Sequence, residues 1–140
     1  MKIKVVGNVP KYASPGDAGA DLIANENVII GARSRKLVKT GTWIEIPEGY
    51  VGLIHPRSGL ALKQGLTVLN APGTIDSGYR GELGVILYNS TLELIEIDRG
   101  TRIAQLVIQQ FETAEFEVVD ALTDTERGDG GFGSTGLSSV

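Results

Sequence analysis

Short apolar runs broken by turn residues dominate the chain. Lys2–Val6 alternates and stops at Gly7-Asn8, which predicts a first strand. Val28–Ile30, Arg35–Thr40 and Thr42–Ile46 are rich in β-branched residues and are divided by Gly31 and Gly41, with Trp43 expected in the core. Pro47-Glu48-Gly49 predicts a turn into a strand over Tyr50–His55. Leu66–Leu69, Leu83–Tyr88, Leu92–Ile97, Arg102–Gln109 and Phe116–Val119 complete the set. Strands separated by turns every ~8–12 residues predict an all-β sandwich or barrel rather than a parallel α/β fold. The pattern breaks once, at Pro56–Gly65. There Ser58 is expected to cap a short helix that runs to about Gln64 and ends at Gly65.

One stretch stands out. Asn70-Ala71-Pro72-Gly73-Thr74-Ile75-Asp76-Ser77-Gly78-Tyr79-Arg80-Gly81-Glu82-Leu83 lies between two apolar runs. Ser77-Gly78 supplies turn chemistry, so the stretch predicts a β-hairpin with Asp76 just before the turn and Tyr79 just after it. A carboxylate and an aromatic ring on opposite arms would frame a small pocket, with Asn70 as an acceptor on the way in. An ordinary surface hairpin accounts for the same residues, because Asp and Gly favour turns in any case.

Composition narrows the classes. With 140 residues the chain is expected to form one domain with a real core, and its 19 glycines are about twice the usual ~7%. There is no cysteine, so a disulfide framework or a Cys-based zinc site is excluded. No apolar run reaches the ~18 residues of a membrane span, and a cytoplasmic location is the default expectation. The net charge of −4 with dispersed basic residues argues against bulk nucleic-acid binding. It leaves room for a small anionic ligand held by local arginines, backbone N–H groups or a metal.

Candidate chemistry is spread along the chain. Asp17 and Asp21 lie in a turn-rich segment; loop solvation or Asx-turn bonding suits them as well as a place beside a cation or bound water. His55, the one histidine, sits beside a proline without a second ligand nearby and reads as structural. Arg57 ahead of the short helix offers a fork suited to phosphate oxygens, although a plain capped turn with a surface arginine fits equally. Arg102 and Gln105 interrupt an apolar strand and could face a subunit interface or a phosphate. From about Ala121 the composition shifts, and Arg127–Gly136 holds five glycines in ten residues around Phe132, Ser134 and Thr135. Alone it would be a mobile tail. Its N–H groups, hydroxyls and arginine also suit a phosphate, and its ring suits stacking on a base.

Together these pieces suggest a nucleotide polyphosphate site, and at this point the chain resembles the trimeric-type dUTPases over essentially its whole length. Five segments match the family's motifs in order: Ala13–Leu22, Pro56-Arg57-Ser58-Gly59, Gly73–Gly81, Arg99–Gln105 and Arg127–Gly136. The resemblance implies a jelly-roll-like β-clip core over residues 1–120, with residues 121–140 as an arm closing over a neighbouring subunit's site in a homotrimer. It implies Mg²⁺-assisted hydrolysis of dUTP to dUMP and pyrophosphate, limiting uracil incorporation into DNA and supplying dUMP for dTMP synthesis. By position, Asp76 would be the general base, Tyr79 would lie against the deoxyribose, and Asn70 with the backbone of Gly73, Thr74 and Ile75 would read uracil. Arg57, Ser58, Gly59 and Gln105 would hold the phosphates. Arg127, Gly133, Ser134 and Thr135 would close on the γ-phosphate, with Phe132 stacked on the base. Asp21 would meet Mg²⁺ through water. One departure is Thr101, where the family usually has an acidic residue, which puts a local salt bridge in doubt. The related dCTP deaminases carry a glutamate on the strand after the hairpin, where this chain has Val85-Ile86-Leu87. A nucleotide-sensing trimer on the same scaffold is the non-enzymatic alternative, and the presence of Asp76 and the arm argues against it.

Overall fold

The computed structural model describes residues 1–139. Eleven strands and one helix follow in order: β1 Lys4–Gly7, β2 Ala20–Ile23, β3 Val28–Ile30, β4 Arg35–Lys39, β5 Thr42–Glu45, β6 Tyr50–His55, α1 Ser58–Gln64, β7 Leu66–Val68, β8 Gly73–Ile75, β9 Gly84–Asn89, β10 Ile95–Ile97 and β11 Arg102–Gln110. All described pairings are antiparallel. They form a four-stranded sheet β2-β11-β6-β8, a three-stranded sheet β4-β9-β7, and the ribbons β1-β5 and β10-β3. The architecture is all-β and jelly-roll-like, the β-clip class, as the turn spacing and the resemblance predicted.

Alternation decides what faces inward. In β9, Val85, Leu87 and Asn89 are buried while the residues between them are not. They meet Leu22, Ile30, Val38, Leu66 and Ile103, each at most 2% exposed. Burying each such side chain stabilises the fold by about 1.5–3 kcal/mol. Asn89 is the polar exception. Its Nδ2 donates to the carbonyls of Ile30, Gly31 and Glu93 at 3.1, 3.0 and 2.7 Å, and its Oδ1 accepts from the Thr91 N–H and hydroxyl. This one side chain fastens the end of β9 to the end of β3 and to the loop before β10.

Several expectations change. Trp43 is not in the core: Thr42 and Ile44 point inward, so strand parity turns Trp43 outward, opposite Val6, where it is 37% exposed. Helix α1 does end at Gly65, whose φ of 67° is left-handed and whose N–H reaches Ala61 O. Its N-cap, however, is Arg57, with no side-chain cap bond. Strand β10 starts only at Ile95, because Thr91–Glu93 form a bend anchored by Asn89. Phe116–Val119 is not a strand: among the described residues the segment has no partner strand, and Phe116 and Val118 are more than 90% exposed.

The central stretch is not a paired hairpin. The flanking runs do pair, Val68 opposite Leu87 and Leu66 opposite Asn89. Between them β8 leaves that sheet and adds to the edge of β6, with Gly73 opposite Ile54 and Ile75 opposite Gly52. The returning limb, Tyr79–Leu83, joins no ladder. Asp76 and Tyr79 therefore flank a single turn, closed by Tyr79 N–H donating to Asp76 O at 3.1 Å.

Candidate active site

Three groups of the expected residues are placed by three different parts of the fold. The first is a polar cavity of about 330 Å³ lined by Ala13, Asp17, Ala18, Gly19, Asp21, Arg57, Ser58, Gly59 and Gln105. Sheet register builds it. Asp21 on β2 and His55 at the end of β6 both lie opposite Gln105 on β11, so the three share one rung. Directly after His55 the chain turns into Pro56-Arg57 and α1, which brings Arg57, Ser58 and Gly59 over the same rung. Gln105 Nε2 donates to Pro56 O at 3.0 Å and ties that turn to the sheet.

Asp21 is the electrostatic centre of this cavity. Its side chain is 13% exposed and accepts from Arg57 Nε at 3.1 Å and Arg102 Nη1 at 3.4 Å. A carboxylate this enclosed needs partners, and two guanidiniums supply them. The consequence is that both arginine forks are gathered at one point, the arrangement that binds phosphate oxygens. Gly19 allows the close packing: a Cβ there would lie 2.9 Å from Gln105 Cδ. Asp17, also on the lining, is engaged locally as acceptor from Ser14 N–H at 2.8 Å.

The second group is the turn. Among the described residues the Asp76 carboxylate has no hydrogen-bond or ion-pair partner, and Asp76 is exposed. Tyr79 is 45% exposed; its hydroxyl donates to Glu82 O at 3.0 Å and its ring crosses Gly81, where a Cβ would lie 2.5 Å from Cζ. Asn70 is exposed at the entry to β8, and Gly73 is buried against Ile54. Thr74 and Ile75 continue along the edge strand.

The third group is the arm. Its hydrogen bonds stay within the arm, Arg127 Nε to Gly130 O at 2.8 Å and Ser134 N–H to Gly131 O at 3.0 Å among them. Phe132 is fully exposed with φ of 50°, an unfavourable region for a non-glycine residue. Gly133 and Thr135 lie in the same exposed run.

A single chain does not bring these groups together. Because β8 runs antiparallel to β6, Asp76 leaves the sheet level with Val51. Arg57 lies beyond the opposite end of β6. At ~3.3 Å per residue the two ends are roughly 15–20 Å apart. No lining residue of the phosphate-type cavity comes from the turn or the arm.

Among the described residues no three His, Cys, Asp or Glu side chains converge to cage a metal. The carboxylate donors at the cavity are Asp21, paired with Arg57 and Arg102, and Asp17, bonded to the Ser14 N–H. That set fits Mg²⁺, which keeps much of its hydration and takes most of its protein-site ligands from substrate phosphates. Sequence reasoning gave Arg102 no definite role; its partnership with Asp21 depends on the register shift between Arg102 and Ala104, which the sequence does not display. Arg80, which donates to carbonyls of the turn, and its ion-pair partner Glu45 carry no sequence signal beyond being charged.

Known proteins resemble this chain over most of its length. The dUTPase family model matches residues 6–136. The chain is 53% identical to a deoxyuridine 5'-triphosphate nucleotidohydrolase of Cutibacterium acnes, over 94% of this chain and 88% of that one. It is 50% identical to the enzyme of the same name from Crocosphaera subtropica, over 98% and 96%. Among solved structures, the Staphylococcus bacteriophage 80alpha dUTPase with dUpNHpp superposes with a TM-score of 0.91 at 31% identity, covering 97% of this chain and 99% of that one. A dUTPase of S. aureus phage phi11, solved with a structural Mg(II) ion, superposes at 0.80 with 28% identity, covering 86% and 98%. A family match over nearly the whole chain, relatives at half identity and a shared fold lead to one conclusion: the chain belongs to the dUTPase family.

Proposed function

We propose that this chain hydrolyses dUTP to dUMP and pyrophosphate by attack of water on the α-phosphorus, in active sites shared between the protomers of a homotrimer. The observation that carries the reading is the division of the site. The phosphate-type cavity and the Asp76–Tyr79 turn lie at opposite ends of β6, which supports a functional site that takes the cavity from one protomer and the turn from another. Exposed apolar residues such as Val6, Trp43, Phe116 and Val118 supply surface for that assembly.

In this reading Arg57, Arg102, Ser58, Gly59 and Gln105 bind and orient the triphosphate. Asp76, unpartnered and beside a tight turn, orients the water and takes its proton, a role worth about 10²–10⁴-fold in rate. Tyr79 lies against the deoxyribose and leaves no space for a 2′-hydroxyl. Asn70 and the backbone of Gly73, Thr74 and Ile75 read the uracil edge, and the narrow turn rejects a 5-methyl group. The arm of a neighbouring protomer closes with Arg127, Gly133, Ser134 and Thr135 on the γ-phosphate and Phe132 on the base, which excludes bulk water and fixes in-line geometry. Mg²⁺, held by the triphosphate and through water by Asp21, would neutralise phosphate charge. In the cell such an enzyme limits uracil incorporation into DNA and supplies dUMP for dTMP synthesis.

The test is a nucleotide panel. Purified protein with Mg²⁺ is given dUTP, dCTP, dTTP or UTP, and pyrophosphate and ammonia are followed separately. Pyrophosphate from dUTP alone is expected. Ammonia from dCTP, or no product from any of the four, overturns the reading.

A further inference from the structure

The Asp76–Tyr79 turn is fastened by a residue to which the proposed reaction assigns no role. Arg80 Nη1 donates to Ser77 O at 2.6 Å and to Tyr79 O at 3.1 Å, so one guanidinium nitrogen holds two carbonyls of the turn. Its Nη2 lies 3.5 Å from Glu45 Oε1 on β5. Glu45 is paired in turn with Lys4, its register partner on β1, at 3.4 Å. Two residues on, Glu82 Oε1 accepts from Gly41 N–H at 2.9 Å, just ahead of β5. The limb that returns from the turn has no ladder of its own. Its far end is bonded through Leu83, whose N–H donates to Thr42 O at 2.8 Å and whose carbonyl accepts from Thr40 N–H at 3.2 Å, and nearer the turn it is held to the β1-β5 ribbon by these two side chains.

We infer that Arg80, backed by Glu45, is a positioning residue that sets the orientation of Asp76 and Tyr79. The two ion pairs are exposed, and pairs of that kind contribute little to stability. The two carbonyl bonds matter differently. They fix which way the Ser77 and Tyr79 peptides point, and so where the side chains on either side of the turn project. A shift of about 1 Å in a reacting group can cost about 10²-fold in rate. The expected signature is therefore a loss of turnover and selectivity with little loss of stability. This inference rests on the roles proposed for Asp76 and Tyr79.

The test compares Arg80→Met, Arg80→Lys and Glu45→Gln with Asp76→Asn and the unaltered protein, in the same dUTP and UTP assays. Arg80→Met, which keeps the stem, is expected to lower kcat for dUTP about 10- to 100-fold and to narrow the dUTP/UTP preference. Its thermal midpoint and oligomeric state should match the unaltered protein. Arg80→Lys, which can reach a carbonyl but lacks the planar fork, should recover part of kcat, and Glu45→Gln should fall about threefold. Unchanged kcat and selectivity in Arg80→Met beside an inactive Asp76→Asn overturns the positioning role alone. Normal turnover by Asp76→Asn overturns the roles on which it rests. A lowered thermal midpoint that accounts for the lost activity makes Arg80 structural and also overturns the inference.

Discussion

Replacing Gly81 by alanine tests whether the Tyr79 ring is held across the chain. A Cβ at position 81 would lie 2.5 Å from Tyr79 Cζ, closer than packed atoms approach, so the ring has to move. Tyr79 is 45% exposed and can swing outward rather than deform the backbone. What it loses is the hydroxyl bond to Glu82 O and part of its packing. A net hydrogen bond is worth about 1 kcal/mol, so stability should fall by only about 1–2 kcal/mol. For a chain of this size that corresponds to a drop of roughly 3–8 °C in thermal midpoint. The effect on selectivity should be larger in proportion. With the ring displaced by more than about 1 Å, kcat/KM for dUTP should fall about 10- to 100-fold. If Tyr79 has the proposed role of excluding a 2′-hydroxyl, hydrolysis of UTP should fall less or rise. Initial rates of pyrophosphate release from both nucleotides, with a thermal melt on the same sample, give both quantities. A Gly81→Ala protein that keeps its dUTP/UTP preference would refute the reasoning, since the ring could then move without consequence.

The other predictions concern separate parts of the molecule. Asn89→Ala should cost about 3–5 kcal/mol in denaturant unfolding, because it strips partners from several carbonyls and from Thr91 at the junction of β3, β9 and the bend. A loss under about 1 kcal/mol would show that water replaces the side chain there. Gly19→Ala forces Gln105 aside and should raise KM for dUTP about tenfold with the thermal midpoint nearly unchanged, as measured by steady-state kinetics. An unaltered KM would place Gln105 outside the phosphate-binding set. Phe132→Ala should weaken catalysis without changing the oligomeric state, because the ring is fully exposed and packs on no core residue of its own chain. A monomer on size-exclusion chromatography would assign the ring to assembly.

Much of the fold was legible in the sequence because turns and alternation are local signals. Gly7, Gly31, Gly41, Gly49 and Gly65 each fall at an element boundary, and the helix end at Gly65 was read from one residue. What local signals do not encode is partnership. Ser77-Gly78 marks a turn, but nothing nearby says that β8 pairs with β6 rather than with β9. Trp43 was misplaced because its size favours burial, whereas its parity with Thr42 and Ile44 decided otherwise. Phe116–Val119 has strand composition without a strand partner in its own protomer, and composition alone does not distinguish the two cases.

The candidate site was legible as residue types for a related reason. A phosphate pocket needs an arginine, small residues and a turn, and Pro56-Arg57-Ser58-Gly59 supplies all of these in four consecutive positions. In the sequence Asp21 is a carboxylate in a turn-rich segment, but its place between Arg57 and Arg102 goes with a register shift in β11 that the sequence does not display. Arg80 and Glu45 are far apart in sequence and ordinary in type, so only the folded chain displays their contact.

Sharing of the active site between protomers is tested most directly by complementation. Asp76→Asn and Arg57→Ala proteins, each expected to be inactive, are unfolded together in equal amounts, refolded, and assayed for pyrophosphate release from dUTP. In a trimer whose sites take Asp76 from one protomer and Arg57 from another, random mixing leaves about one site in four with both residues intact, so about a quarter of full activity should return. If both residues serve the same site from a single protomer, every site in every mixture lacks one of them. Activity no higher than that of the separate variants, with mixed assembly confirmed by a mass tag on one of them, would contradict the account.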